Sequence, residues 1–372
     1  MARTMVGLDI GSSAVRAVAL STGRAPSLVS GGEVPLPPGA VEAGSVKSAR
    51  QVTEAIRTLW HDQRLKTKDV RIGVGSGSVL VRQLELDWMP PADLKKALRF
   101  QVADLLPVSV DDANIDHLTL DEYERMDDDL GAPRRFVKIL LVATARGAVD
   151  EMVRAVQAAG LRPHVADLSA LALVRAAARA GARDGSLADG TPEAIIDVGA
   201  DKIAVAVHSG GRPHFVRVIA GVGGSLLTQA LVDRSGRPWA EAEELKRTCR
   251  LPARVPAGAP DPQAGRQLGQ EELVGRLVLD GARQLAAEVR ATLDFHTAAH
   301  PEHTPERVLL TGGGADLIGL DELVGMALDL PTQRFVPADV LPRLVSRRGE
   351  RDPLADDPGM LVPLGLALAG TA

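Results

Sequence analysis

Short apolar runs broken by glycine and polar residues predict strands at residues 5–10, 15–20 and 28–34, after which the period changes. Within residues 49–64, Ile56, Leu59 and Trp60 fall on one helical face, and Val70-Arg71-Ile72-Gly73-Val74 returns to strand. Leu80, Arg82, Leu84 and Leu86 form an alternating strand. Pro90-Pro91-Ala92-Asp93 then opens a helix carrying Leu94, Leu98, Val102 and Leu105 at helical spacing. The turn Pro107-Val108-Ser109-Val110-Asp111-Asp112 ends it. Strands are expected at 113–121 and 136–143, with the acidic stretch 121–131 as a hairpin tip. Helix 146–159, strand 164–167 and helix 169–180 lead to a polar linker at 181–191. Beyond it the strand pattern starts again, with 214–219 as the third strand of the second half. Helices follow from Gly221, a Pro-, Ala- and Gly-rich stretch at 251–270 reads as a mobile loop, and a long helix spans 272–297. An apolar strand at 308–311 precedes three glycines, and a small-residue helix at 362–369, suited to close packing, ends the chain.

The restart is plainest in a motif that occurs twice. Leu8-Asp9-Ile10-Gly11-Ser12-Ser13 and Ile196-Asp197-Val198-Gly199-Ala200-Asp201 each join an apolar strand, an aspartate, a small-residue turn and a second alternating strand. Successive backbone N–H groups in such a turn converge on an anion without side chains. An aspartate just before it suits Mg2+, which is reached through one or two carboxylates, water and phosphate oxygens. Either hairpin alone is equally an ordinary strand turn. Thr311-Gly312-Gly313-Gly314 adds a third element, either a flexible strand-to-helix turn or a surface that a flat purine approaches closely. Together the three point to a duplicated phosphate-binding core. Gly223 and Gly224 open the helices of the second half, and Glu243 and Lys246 share a helix face there, as a solvated ion pair or as contacts to ribose and base. The run Asp127-Asp128-Asp129 lacks the alternation of a calcium loop and is set aside.

Composition narrows the class. With 372 residues the chain is long enough for two domains, each with its own core, and its net charge of −5 without a basic block argues against nucleic acid as the main partner. A single cysteine, Cys249, excludes an internal disulfide framework and agrees with a reducing cytoplasm. No charged apolar leader opens the sequence, and no run of about 18 apolar residues is present to span a bilayer. Aromatic residues are only 2%, so Ala, Val and Leu must build the core.

In order and separation, the two hairpins and the glycine turn resemble the actin, heat-shock chaperone and sugar kinase superfamily. Other segments narrow the resemblance to the bacterial PilM and FtsA branch, best to the PilM family. They are Trp88-Met89-Pro90, Ala97-Leu98-Arg99-Phe100-Gln101, Leu106-Pro107-Val108-Ser109-Val110-Asp111, Val142-Ala143-Thr144-Ala145, Ala242-Glu243-Glu244-Leu245-Lys246-Arg247, Leu293-Asp294-Phe295 and Leu364-Gly365-Leu366-Ala367-Leu368. The resemblance implies an α/β, actin-like (ribonuclease H-like) duplicated two-domain fold with a small inserted α+β domain in the first half. Residues 1–78 and 146–185 would form the first core, 79–145 the inserted partner-binding domain, and 186–372 the second core, with a helical nucleotide-facing subdomain at about 226–300.

It also implies ATP and Mg2+ as cofactors, with Asp9 and Asp197 holding magnesium through water. Phosphates would meet the backbone of Gly11, Ser12 and Ser13 and of Gly199, Ala200 and Asp201. Gly223, Gly224, Glu243, Lys246, Gly312, Gly313 and Gly314 would surround the nucleoside. Lys202 either touches a phosphate or stays solvated. The implied function is a cytoplasmic ATP-binding scaffold of the type IV pilus inner-membrane assembly platform, recruited to the inner face of the cytoplasmic membrane by its partners. Its inserted domain would dock the N-terminal peptide of a PilN-like inner-membrane protein, with the pilus assembly ATPase and platform protein as further partners.

Two departures bear on activity. Superfamily members that hydrolyse or transfer phosphate place an acid or amide at the start of the helix linking the halves. Here Asp167-Leu168-Ser169-Ala170 puts serine there and leaves Asp167 in the strand, so at most slow ATPase activity is expected. FtsA ends in a membrane-binding amphipathic tail, whereas this sequence stops at Ala372 after the closing helix. An FtsA-like division protein and a sugar or acid kinase are the alternative readings.

Overall fold

The computed structural model describes residues 4–22, 26–106, 108–127, 132–185, 190–252, 269–342 and 352–369. The first half opens with strands β1 (Thr4–Ile10), β2 (Ala14–Ser21) and β3 (Leu28–Pro35) and a two-rung hairpin, β4 (Val41–Glu42) and β5 (Ser45–Val46). Helix α1 (Ala49–Asp62) and β6 (Asp69–Val74) follow. Next come β7 (Leu80–Asp87), α2 (Pro91–Gln101), β8 (Ala113–Asp127) and β9 (Ala132–Ala145), and then α3 (Arg146–Ala158), β10 (Arg162–Leu168) and α4 (Ser169–Asp184). The second half holds β11 (Pro192–Val198), β12 (Lys202–Ser209), β13 (Arg212–Ala220), α5 (Gly224–Ser235), α6 (Trp239–Thr248) and α7 (Gln270–Ala299). It closes with β14 (Arg307–Thr311), α8 (Leu320–Leu328), β15 (Thr332–Arg334), α9 (Pro337–Val340) and α10 (Leu361–Leu368).

The duplication is explicit in the pairing. One five-stranded sheet runs β3-β2-β1-β6-β10 and the other β13-β12-β11-β14-β15. In each, two antiparallel hairpins are followed by two parallel neighbours: β1 lies parallel to β6 as β11 does to β14. Both hairpins turn at the small residues of the repeated motif, so the two aspartates leave equivalent strands at equivalent ends.

Small side chains decide how the halves meet. α4 and α10 lie between the two sheets in one core that takes Val18 and Leu20 from the first and Ile195, Ala206, Val216 and Leu309 from the second. A Cβ on Gly7 would fall 2.0 Å from the Pro363 carbonyl oxygen, and one on Gly365 2.0 Å from that of Ala172. Backbones therefore touch where larger residues would hold the layers apart. Pro363 stands in the first turn of α10, where its missing N–H costs no helical bond. The outer faces carry separate cores. α1 and α3 cover the first sheet, and α5, α6, α7 and α8 cover the second.

Residues 80–145 form a three-stranded sheet, β7-β9-β8, packed on α2 through Leu94, Leu98 and Val102. The expected tip at 121–131 is shorter than its acidity suggested, since β8 continues through Asp127 and β9 starts at Ala132. Cross-strand pairs explain this: Arg135 meets Glu122 at 2.7 Å and Arg125 meets Glu85 at 3.0 Å, so the charges pair instead of repelling. Residues 128 and 129 of the aspartate run lie outside the described residues, as does 253–268 of the expected mobile loop. α4 runs four residues beyond its expected end at 180. It stops at Asp184 because Gly185 takes the left-handed conformation (φ +79) that closes a helix.

Candidate functional site

Each repeated turn is closed by its own glycine. The Gly11 N–H donates to Ala14 O at 3.0 Å, and the Gly199 N–H to Lys202 O at 2.9 Å. The N–H groups of Ser12, Ser13, Ala200 and Asp201 are left without an acceptor among the described residues. The N–H groups left open in each turn are thus those of the two residues after its glycine. The start of α5 is stitched onto the second turn, with Gly224 N–H donating to Gly199 O at 2.9 Å and Ser225 N–H to Ala200 O at 2.7 Å. Gly223 permits that approach, because a Cβ there would lie 2.6 Å from Ala200 O.

Asp9, Gly11, Ser12 and Ser13 of the first turn, Asp197, Gly199, Ala200, Asp201 and Lys202 of the second, and Gly312 and Gly313 line one cleft between the sheets. Gly312 adopts φ +82, and a Cβ on it would fall 2.2 Å from Asp197 Oδ1, so the third element is fitted against the second aspartate. The remaining candidates stand elsewhere. Gly314 packs on Val198, and Gly223 and Gly224 brace the second turn from behind. Glu243 and Lys246 bond to one another at 2.7 Å and share Thr228 Oγ1, tying α5 to α6 outside the cleft lining.

Sequence reasoning missed Arg16, Pro358, Gly359 and Val362 of the lining. Arg16 lines the cleft from β2, directly across the ladder from Asp9, and is anchored by Glu33 at 2.9 Å. Strand alternation could have found it, since cross-strand partners share a face. Pro358 and Gly359 also line the cleft, and Thr311 Oγ1 donates to Pro358 O at 3.0 Å. Nothing local in the sequence marks that pair.

The electrostatics are those of a buried acidic pair held between two cations. Burial raises the pKa of Asp9, opposed by Lys202 and Arg16. Burial likewise raises Asp197 to about 6, with Asp9 adding to the rise and Lys202 and Arg16 opposing it. Ser12 Oγ and Asp201 Oδ1 are buried there without a hydrogen-bond partner. Two hard carboxylates, unused N–H donors and an orphaned hydroxyl fit a magnesium-bound phosphate. Ser169, the first residue of α4, lines the cleft, while Asp167 is held by Arg175 at 2.9 Å. Among the described residues no helix is long and apolar enough to cross a membrane.

Comparison with known proteins gives this architecture a family. The model of type IV pilus assembly protein PilM matches residues 7–262. The chain belongs to the PilM family. A second model, cell division protein FtsA, matches residues 194–358 of this PilM-family chain. Among solved structures, the PilM-PilN type IV pilus biogenesis complex matches with a TM-score of 0.79 and 23% identity, covering 99% of this chain and 98% of that one. Ethanolamine utilization protein EutJ from Carboxydothermus hydrogenoformans matches at 0.56 and 17% identity, over 99% and 90%. MreB5 of Spiroplasma citri bound to ADP matches at 0.51 and 13% identity, over 91% and 93%. The fold is the duplicated, two-domain actin-like fold, and the chain is a type IV pilus assembly actin-like protein.

Proposed function

We propose that the cleft binds a magnesium nucleotide, ATP in the charged state, and that the chain is a nucleotide-responsive scaffold of the pilus assembly platform. The observation that carries this is the meeting of Asp9 and Asp197 with Arg16 and Lys202 between two turns in which the N–H groups of Ser12, Ser13, Ala200 and Asp201 have no acceptor among the described residues. Asp9 and Asp197 would hold magnesium through water, and Ser12, Ser13, Ala200 and Asp201 would bind phosphate oxygens through their backbone. Magnesium, when bound, would offset the charge of both carboxylates and phosphates. Gly312 and Gly313 would lie against the adenosine. Glu243 and Lys246 would reach the ribose and base by giving up part of their mutual bond. The MreB5 structure holds ADP, which supports the same use of the fold here.

Slow turnover follows from Ser169 and the Arg175-bound Asp167, neither of which offers a free carboxylate to orient water or a hydroxyl. The same feature weighs against a sugar or acid kinase. The PilM-PilN complex supports a PilN-like partner; this chain would dock a short segment of such an inner-membrane protein, with the unit at 79–145 as one wall of the groove and the first core as the other. The docked protein would bring the chain to the cytoplasmic face of the membrane. Calorimetric titration tests the cleft: Asp9→Ala should weaken Mg-ATP binding more than nucleotide binding in EDTA. Equal losses in the two conditions would remove the metal role.

A further inference from the structure

Resting on the nucleotide reading, we propose that Asp201 is the positioning residue through which the first half of the molecule senses an occupied cleft. Its carboxylate crosses from the second turn and accepts the Ala43 N–H at 2.5 Å, while its other oxygen is buried without a partner. Ala43 and Gly44 form the tip between β4 and β5, with φ of +48 and +78. Two left-handed residues in a row suit a tight hairpin, yet an alanine adopts that conformation only against steric resistance. The Gly77 N–H donates to Ala43 O at 2.9 Å, so this strained peptide is gripped by its own half on one side and by Asp201 on the other. Lys202 makes a second crossing, its ammonium donating to Gly75 O two residues from Gly77. With both crossings in place the cleft keeps a free volume of about 50 Å³, against roughly 300 Å³ or more for a drug-sized ligand. A nucleotide therefore calls for a wider cleft than this one.

Charge sets the direction of the response. The N–H groups of Ala200 and Asp201 that would take a phosphate belong to the turn that carries the Asp201 carboxylate. Occupancy sets like charges side by side where little water screens them. A carboxylate held by one N–H yields first, and the 43–44 tip is freed. That tip leads within a few residues into α1, which covers the outer face of the first sheet.

Hydrogen exchange at the Ala43 amide in the full-length protein tests this, read with and without a non-hydrolysable magnesium ATP analogue whose binding is measured calorimetrically on the same samples. In the wild type the amide should be protected without nucleotide and exchange about tenfold faster at saturation. Asp201→Asn keeps an acceptor but loses the charge, so protection should persist in both states. Asp201→Ala should exchange quickly in both. Binding without a change in wild-type exchange, an Asn variant that responds like wild type, or an Ala variant that stays protected overturns the latch and leaves the nucleotide reading standing. Absence of nucleotide binding in all three proteins overturns both.

Discussion

Asp197 shows how a turn of small residues becomes chemically distinct once it is enclosed. Its pKa rises from 3.8 to about 6 because burial disfavours the charge, and Asp9 beside it adds to the penalty. A carboxyl whose folded pKa exceeds its unfolded one contributes stability that is complete below the unfolded value and is lost as pH rises through the folded value. The metal-free protein should therefore lose stability between pH 4 and 7 through this group, by at most about 3 kcal/mol. Asp197→Asn should raise the metal-free melting temperature at pH 8 and have little effect near pH 4, as followed by thermal unfolding across that range. A lower melting temperature for the variant at pH 8 would mean that Lys202 and Arg16 outweigh burial. Asp9 and Asp197 were legible as a pair because their motif is local. Arg16 was hidden because it enters through register, and Pro358 and Gly359 because they arrive from the far end of the chain.

Among the elements, α10 depends most on the absence of side chains. Its backbone lies so close to β1 and α4 that Gly7 and Gly365 admit no Cβ, and Gly365→Ala should cost about 2 kcal/mol or more by overpacking. Urea denaturation would measure this, and an unchanged midpoint would show that α10 is free to move away from α4. The close packing was foreseen from the small residues of 362–369, but the surface it meets was not. α6 teaches the converse lesson. Helical spacing correctly put Glu243 and Lys246 on one face, yet Thr228 of α5 supplies a shared partner and turns the pair into a brace between helices. Periodicity assigns a face, whereas the neighbour that covers it is a long-range fact.

The inserted sheet joins the whole molecule at more than its two chain crossings. Gln83 donates to His214 O at 2.5 Å, and Arg212 donates to Leu120 O and meets Asp121 at 3.6 Å, so the unit also rests on β13 of the second half. A peptide wedged beside it would thus feel any shift of one half against the other. A variant lacking residues 79–145 should still bind nucleotide but lose affinity for a PilN-like N-terminal peptide and its recruitment to membranes carrying that protein. Unchanged peptide affinity by fluorescence anisotropy would place docking elsewhere.

The chain's own pattern determined what depends on near neighbours: the strands and helices, the doubled hairpin, the glycine turn and a core of small aliphatic residues. These follow from side-chain period and backbone freedom over a few residues. Only the tertiary structure decided that Asp9 and Asp197 share one cleft with Arg16 and Lys202 and that Asp201 reaches Ala43. Burial and pairing across more than a hundred residues set those outcomes, and neither has a signature in local sequence.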